Sequence, residues 1–426
     1  MSLVNLYEQS AETQIGITRE SARKDSIQLS HPPINLFPYE VLSLIFMDCG
    51  DGQMERNLNL SLVCTLWRHI VVSNPRLWSN ITIKGCETIP ELHLSWRLAE
   101  ISLLRSKHVP LDIRVDLRRI PGYHRYLRQR PKDPLSEGEY NDIAAATLRR
   151  LLGDKKEYVH RWRTFYLSCS RIMSRIAVAK VWSALEGQYN ALTRLQVAIQ
   201  QHPSSLHLLP ISSPNLGSST TNQPTGPREI SINPSRMTWL SLYSHQIAIA
   251  FLHMASTTTF SALSTLQIWI ASRQGISVTS LHFPRLSTLR LSSAESGTII
   301  PPLLDAPCLI DVSIVWRSGG SANFLPHSIF VKLKTLRFRL KSNSNSEGAY
   351  RRIRESLRTA LSSCTSLKRL KIPKAPGLRA NLIELVSELR GEGHPLAELK
   401  EITLVTTTVI DEKKHETFDV INVAAL

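Results

Sequence analysis

The sequence predicts a mixed α and β chain (α+β or α/β), in which a small three-helix block precedes an irregular repeat solenoid with a curved parallel sheet. Three observations lead there. An apolar phrase recurs at near-regular spacing from about Trp162 to the end. A compact, apolar block at 32–83 has helical periodicity. Between them, residues 84–160 read as a mostly helical connector broken by a basic segment, Arg118 to Tyr140.

The phrase is a large apolar residue, two others, an apolar residue, one other and an apolar residue. It reads Leu192-x-x-Leu195-x-Val197, Met237-x-x-Leu240-x-Leu242, Leu263-x-x-Leu266-x-Ile268 and Leu286-x-x-Leu289-x-Leu291. It continues as Leu309-x-x-Val312-x-Ile314, Leu333-x-x-Leu336-x-Phe338, Leu367-x-x-Leu370-x-Ile372 and Leu399-x-x-Ile402-x-Leu404. Trp162-x-x-Phe165-x-Leu167 is a weaker first copy. From Met237 to Leu333 successive starts lie 26, 23, 23 and 24 residues apart, the period of leucine-rich repeats. The Asn or Cys that the full consensus carries after the strand is not consistently present, so an irregular solenoid over 161–426 is expected. A Ser/Pro/Thr/Asn-rich run near 202–227 has nothing to bury and reads as a flexible insertion.

Within each phrase the last two apolar residues are two apart, so a strand points both to one side. One unit cannot bury that side alone; neighbours stack and their strands align as a parallel sheet. The alternate residues then face outward. Trp239, Tyr243 and Trp269 form an aromatic zone, and Arg290, Arg337, Arg339, Arg369 and Lys371 a basic one. Exposed Trp, Tyr and Arg commonly anchor interfaces, so these are the substrate-binding candidates. Clustered arginine favours an acidic or phosphorylated partner.

In the block at 32–83, Pro38 suits the first turn of a helix and Glu40 favours the positive end of its dipole. Val41, Leu42, Ile45 and Phe46 form one apolar stripe. A polar turn, Asp48 to Asn57, leads to a second helix carrying Leu62, Val63, Leu66, Trp67, Ile70 and Val71. Ser73-Asn74-Pro75 stops it and starts a short turn with Leu77 and Trp78. Such a block carries more large apolar residues than its own core can hide, which marks a partner site.

The order Leu36-Phe37-Pro38-x-Glu40-Val41-Leu42-x-x-Ile45-Phe46, then Leu62-Val63-Cys64-x-x-Trp67-Arg68-x-Ile70, then Asn74-Pro75-Arg76-Leu77-Trp78 resembles the F-box. It is similar to the version of mushroom-forming (basidiomycete-type) fungi, in which an F-box precedes a long, divergent leucine-rich region. The strict resemblance covers about 50 residues and departs from the pattern at Phe37, where Leu often stands. It implies docking on a small Skp adaptor, and through it on a cullin scaffold and a RING-type subunit. Leu36, Pro38, Leu42, Ile45 and Phe46 would be first-helix contacts. Val63, Cys64 and Trp67 would divide between core and adaptor groove, with Leu77 and Trp78 closing the site. The chain is then expected to be the substrate-recognition adaptor of a ubiquitin ligase, holding a protein target in its repeats.

Other classes find little support. No phosphate loop, H-E-x-x-H or G-x-S-x-G motif occurs, so an enzyme, a metal and a cofactor are not expected. Cys49, Cys64, Cys86, Cys169, Cys308 and Cys364 form no C-x-x-C pair and read as reduced, mostly buried thiols. Cys64 reads as part of a helix stripe. No apolar run approaches the roughly 20 residues that span a bilayer. The polar segment 1–31 lacks a signal peptide's order, so an intracellular place, cytoplasm or nucleus, is expected. The formal net charge of +16 leaves two alternatives: an interaction scaffold without ubiquitylation, and a nucleic-acid binder using Arg118 to Lys132. An ordinary basic surface loop is the favoured reading of that segment, so nucleic acid is not the expected partner.

Overall fold

The chain is mixed α/β with a large, mostly parallel sheet, described here from a computed structural model. The structure describes residues 33–49, 54–84, 88–118, 137–173, 187–201, 211–212, 230–243, 245–270, 280–293, 303–316, 332–340, 364–373, 378–393, 398–410 and 413–422, with a few single positions besides. It divides into two compact units, Met1–Cys49 and Gly50–Leu426.

In the first unit a short turn, Pro33–Leu36, precedes helix α1, Tyr39–Cys49. The Pro38 carbonyl accepts the first helical bond, from the Leu42 N–H at 3.1 Å. Leu42 and Phe46, one turn apart, are buried together with Ser43.

The second unit opens with α2 (Met54–Ser61) and α3 (Thr65–Ser73). Helix α2 begins inside the segment read as a polar turn. The inward positions of α2 are Met54 and Asn57 rather than a leucine stripe, and the Asn57 amide donates to the Leu77 carbonyl at 2.5 Å. A hydrogen-bonded asparagine therefore does there what an apolar residue does elsewhere, and hydropathy alone hides the helix. Leu62 and Val63 precede α3 rather than belonging to it. Cys64 is its N-cap, and its sulfur accepts from the Trp67 N–H.

Twelve strands form the main sheet: β1 (Asn80–Ile83), β2 (Leu111–Asp116), β3 (Trp162–Met173), β5 (Arg194–Gln201), β8 (Trp239–Leu242), β9 (Thr265–Ile270), β11 (Thr288–Ser293), β13 (Asp311–Trp316), β14 (Thr335–Leu340), β15 (Arg369–Pro373), β16 (Glu401–Ile410) and β17 (Lys413–Asn422). Each lies beside its predecessor in that order, parallel throughout except for the closing β16–β17 hairpin. The remaining strands, β4 (Gly187–Tyr189), β6 (Ile211–Ser212), β7 (Ile230–Ile232), β10 (Ser280–His282) and β12 (Leu303–Asp305), form two small sheets. Ile211–Ser212 thus pair with β7 inside the run read as a flexible insertion; the rest of 202–227 lies outside the described residues, as does 1–31.

All nine phrases lead into main-sheet strands, and register follows from them. Ile81, Ile113, Phe165, Leu195, Leu240, Leu266, Leu289, Val312, Leu336, Leu370, Ile402 and Ile421 form one row across the twelve strands. None is more than 8% exposed. The first residue of each phrase is buried, in the turn before the strand for all but Trp162, which opens β3. Leu192, Leu263, Leu286, Leu309 and Leu399 each close that turn by donating to the carbonyl three residues back. The next residue then bonds to its counterpart in the preceding unit. The amides of Thr238, Ser264, Ser287, Ile310, Lys334, Lys368 and Lys400 donate in sequence to the carbonyls of Thr193, Thr238, Ser264, Ser287, Ile310, Lys334 and Lys368. The turns are joined by their own backbone, which accounts for stacking without the consensus Asn or Cys.

The connections vary with spacing. Helix α6 (His245–Thr257) fills the 26-residue unit after β8, whereas in the two 23-residue units that follow the described connecting residues include the short strands β10 and β12. Phe251, Phe260 and Phe283 cluster beneath the sheet, with ring centroids 5.1 to 6.4 Å apart.

The connector 84–160 differs from its mostly helical reading. Between α4 (Ile89–Arg105) and α5 (Glu137–Leu152) it supplies β2, and β1 comes from the end of the preceding block. Leu111-x-Ile113-x-Val115 alternates strictly and buries all three apolar residues. Helix α4 is capped by the Thr88 hydroxyl, which accepts from the Glu91 N–H. It packs on α5 through a bond from the Trp96 indole to the Thr147 hydroxyl at 2.9 Å. Arg161 clamps the far end of α4: its guanidinium, buried in the protein, donates to the Val109 carbonyl and the Ser106 hydroxyl. Burial holds its pKa below the ordinary arginine value.

Candidate interaction surfaces

Two kinds of surface stand out, one apolar and one polar. The apolar kind occurs in each unit. Around α1, Leu36 is 76% and Leu44 61% exposed, and Phe37 and Val41 are also open to solvent. In the second unit Leu62, Val63, Leu66 and Val72 are exposed before and along α3, while Ile70 and Val71 on its other side are buried. Small helical elements that leave this much apolar surface uncovered offer it to a partner.

The ten residues read as adaptor contacts divide accordingly. Leu36, Pro38 and Val63 are exposed, and Ile45, Cys64 and Trp67 half-buried. Leu42, Phe46, Leu77 and Trp78 are buried, at 6% exposure or less, so they act as packing side chains and present no surface. Trp78 donates its indole N–H to the Val71 carbonyl at 2.7 Å, and the Arg105 guanidinium lies 4.6 Å over its ring. Besides Leu36, Pro38 and Val63, the apolar side chains open for contact include Leu44 on α1, Leu62 before α3, and Leu66 and Val72 on α3. The resemblance named none of these last four as a contact.

The polar surface is the open side of the main sheet. Arg114, Tyr166, Gln196, Ser241, Gln267, Arg290, Ser313, Arg337, Lys371 and Thr403 form one register row along it. The expected aromatic and basic zones are both on this side. Trp239, Tyr243 and Trp269 are half-buried; Arg290 and Arg369 are exposed; Arg337 and Lys371 are intermediate. The side chain of Arg339 lies outside the described residues. Ser241, Gln267, Ser313 and Thr403, on the same side, are covered by their neighbours. The Gln267 carbonyl oxygen accepts from the Ser241 and Tyr243 hydroxyls, at 3.2 and 2.9 Å, which fixes the aromatic zone in place.

The beginning of the sheet holds what the sequence reading missed. An open groove of about 620 Å³ over β1 to β5 is lined by Asn80, Asp112, Arg114, Arg163, Tyr166 and Arg194, among others. Arg163 chelates Asp112 through two N–H groups, and Thr164 donates to the same carboxylate at 2.8 Å. That hydrogen-bonded pairing holds the Arg163 pKa above its ordinary value. The Arg114 guanidinium lies 4.5 Å over the Tyr166 ring. At the groove's margin, burial works to raise the Asp116 carboxyl, yet the hydrogen bonds and charge of Arg118 prevail and hold it below the usual carboxylate range. Arg118 is thereby engaged within the chain; residues 119–136 of the basic segment lie outside the described residues. The alternation of β2 and the outward positions of the first two phrases were the signals that could have located this groove.

Among the described residues no helix is long and apolar enough to cross a membrane. The cysteines are more varied than their uniform reading. Cys169 and Cys364 are buried and their thiols pushed up to about 12, but Cys49 and Cys308 are exposed and Cys64 is intermediate. Cys49 ends α1 and Cys308 sits in a turn, and both are solvent-exposed. Cys86 lies outside the described residues.

Fold and surfaces together define a mixed α/β protein built on a twelve-stranded, mostly parallel sheet, with exposed apolar helices near its start and a charged open sheet face. Compared with models of known protein families and with curated proteins, the chain matches none.

Proposed function

We propose that this chain is a substrate receptor of F-box type: a non-catalytic adaptor that binds a Skp-like subunit through its early helices and a protein target through its open sheet face. The observation that carries the reading is the division of the motif at 36–78. Its core positions Leu42, Phe46, Leu77 and Trp78 are filled and buried, while the same segments expose Leu36, Leu44, Leu62, Val63, Leu66 and Val72. Packing has used what it needs, and the surplus is apolar and outward. Two further features support it. The leucine phrases lie in order on neighbouring parallel strands, as stacked leucine-rich units would. The opposite side of those strands is polar, aromatic and basic, the composition of a protein-binding rather than a packing surface. The mechanism is proximity: a target held on the sheet face and a ligase core held by the helices bring ubiquitin to a target lysine.

The test is co-purification with a recombinant fungal Skp adaptor, comparing wild type with a Leu44→Asp, Val63→Asp double variant. Both positions are exposed, so circular dichroism should not change. Stoichiometric capture by wild type, reduced at least about tenfold in the variant, is the expected result for apolar contacts at an interface core. Folded wild type that captures no adaptor overturns the reading.

A further inference from the structure

The charges on the open sheet face are not spread evenly. At the start of the sheet, the groove brings three guanidinium groups, Arg114, Arg163 and Arg194, around a single carboxylate, Asp112. That carboxylate already accepts from Arg163 twice and from Thr164 once, so little of its acceptor capacity remains. The nearby hydroxyls are also committed: Thr193 donates to the Arg163 carbonyl and Thr238 to the Thr193 carbonyl, each at 3.1 Å. The Arg194 guanidinium makes no ion pair among the described residues, and Arg114 lies over the Tyr166 ring and feels the charge of Asp116 without a salt bridge among the described residues. What the groove offers a ligand is therefore guanidinium N–H groups, whose natural complement is an anion with several oxygens.

Further along, the outward positions of β8 and β9 (Trp239, Ser241, Thr265, Gln267 and Trp269) carry no charge. Positive charge returns at Arg290 on β11, Arg337 on β14, and Arg369 and Lys371 on β15, where Asp311 and Glu401 are the only acidic residues in the strand-start row. Register places Arg290 three strands and Arg337 five strands beyond Arg194. At ~4.8 Å per strand those separations are roughly 14 and 24 Å. An extended peptide advancing about 3.3 Å per residue crosses the longer one in about seven residues.

We propose that the groove of Arg114, Arg163 and Arg194 is a second, separate anion anchor. Together with the basic strip of β11 to β15 it selects an extended acidic–neutral–acidic segment of a partner protein, running across the strands. The proposal rests on reading this face as the target-binding surface. The two anchors hold carboxylate clusters, and the middle of the peptide lies over Trp239 and Trp269, which suit neutral or apolar side chains. Because both anchors sit on one sheet, occupying the first raises the effective concentration of the second.

Fluorescence anisotropy with the full chain and labelled synthetic peptides tests this. One probe carries two Glu clusters separated by about seven neutral residues; controls carry either cluster alone, or both clusters directly joined. The spaced probe is expected to bind at least about tenfold more tightly than any control, by avidity. Arg114→Gln, Arg194→Gln should reduce it to the level of a single cluster while leaving single-cluster binding to the basic strip. Arg290→Gln, Arg337→Gln should do the reverse, leaving binding to the groove. Unchanged affinity in the groove variant, or equal affinity for spaced and joined peptides, overturns the proposal. So does a single-stranded oligonucleotide that outcompetes the spaced peptide at equal charge. Adaptor capture plays no part in this assay, so failure here and failure of the F-box reading are separately visible.

Discussion

The two sides of the same strands obey different rules. On the buried side, every one of twelve register positions from Ile81 to Ile421 is apolar, and a neighbour of the same kind sits on each adjoining strand. On the open side, one row runs through Arg, Tyr, Gln, Ser, Gln, Arg, Ser, Arg, Lys and Thr, polar throughout but mixed in size and charge. The first row is constrained by packing, because a side chain that fails to fill its space there costs both transfer free energy and a cavity. The second is less constrained: Ser241, Gln267, Ser313 and Thr403 are buried within it, but Arg114, Arg290, Arg337 and Lys371 reach solvent and can vary. Variation on one side and uniformity on the other is what singles out the open side as the candidate for recognition.

Adjacent residues on β14 give the sharpest way to break this contrast. Leu336→Ala should destabilise the chain by about 3 kcal/mol in urea denaturation, the range for a fully buried leucine. Arg337→Ala, one residue on but facing outward, should stay within about 0.5 kcal/mol. Equal effects would mean that the open side is packed as well.

Arg161 tests the exception, a cation taken inside. Its hydrogen bonds go to uncharged partners, Val109 and Ser106, so it serves as a structural clamp. Arg161→Ala should cost about 2 kcal/mol by leaving those acceptors unpaired. Arg161→Lys should recover little, since an ammonium cannot span the same acceptors with a planar fork. Thermal denaturation of the two variants measures this.

The smallest effect is acid-dependent. The Asp116 carboxyl is depressed in the folded chain by Arg118. Its contribution is therefore present above its unfolded value, near pH 3.9, and is lost as pH falls through the lower folded value. Arg118 is open to solvent, so the contribution at neutral pH is less than about 1 kcal/mol. Asp116→Asn should flatten the acid limb of the stability profile by that amount and leave the neutral region nearly level. An unchanged acid limb would show the pair to be without consequence.

How much of this was legible beforehand depended on whether the signal was local. The phrases located nine strands, their facing and their neighbours, because each carries the two-residue alternation that a strand requires. Leu111 to Asp116 has the same alternation but lies outside any phrase, in a stretch whose overall pattern is helical. Helix α2 was hidden because Asn57 occupies its inward position and meets a carbonyl twenty residues away. The candidate site was legible in part: Arg290, Arg337, Arg369 and Lys371 lie on the open face, while alternation alone does not reveal that Ser241, on the same face, is covered.

What the sequence by itself determined is the phase of the strands: which side of each is apolar, and that stacking in chain order buries it. Alternation is a property of the backbone over a few residues, so it can be read without knowing what lies alongside. Only the tertiary structure decided which apolar residues of the early helices are enclosed and which, like Leu44 and Val63, are left outside. It alone brought Asn80, Arg114, Arg163 and Arg194 to one groove. Burial and juxtaposition depend on where distant segments close against one another, and no local period records that closure.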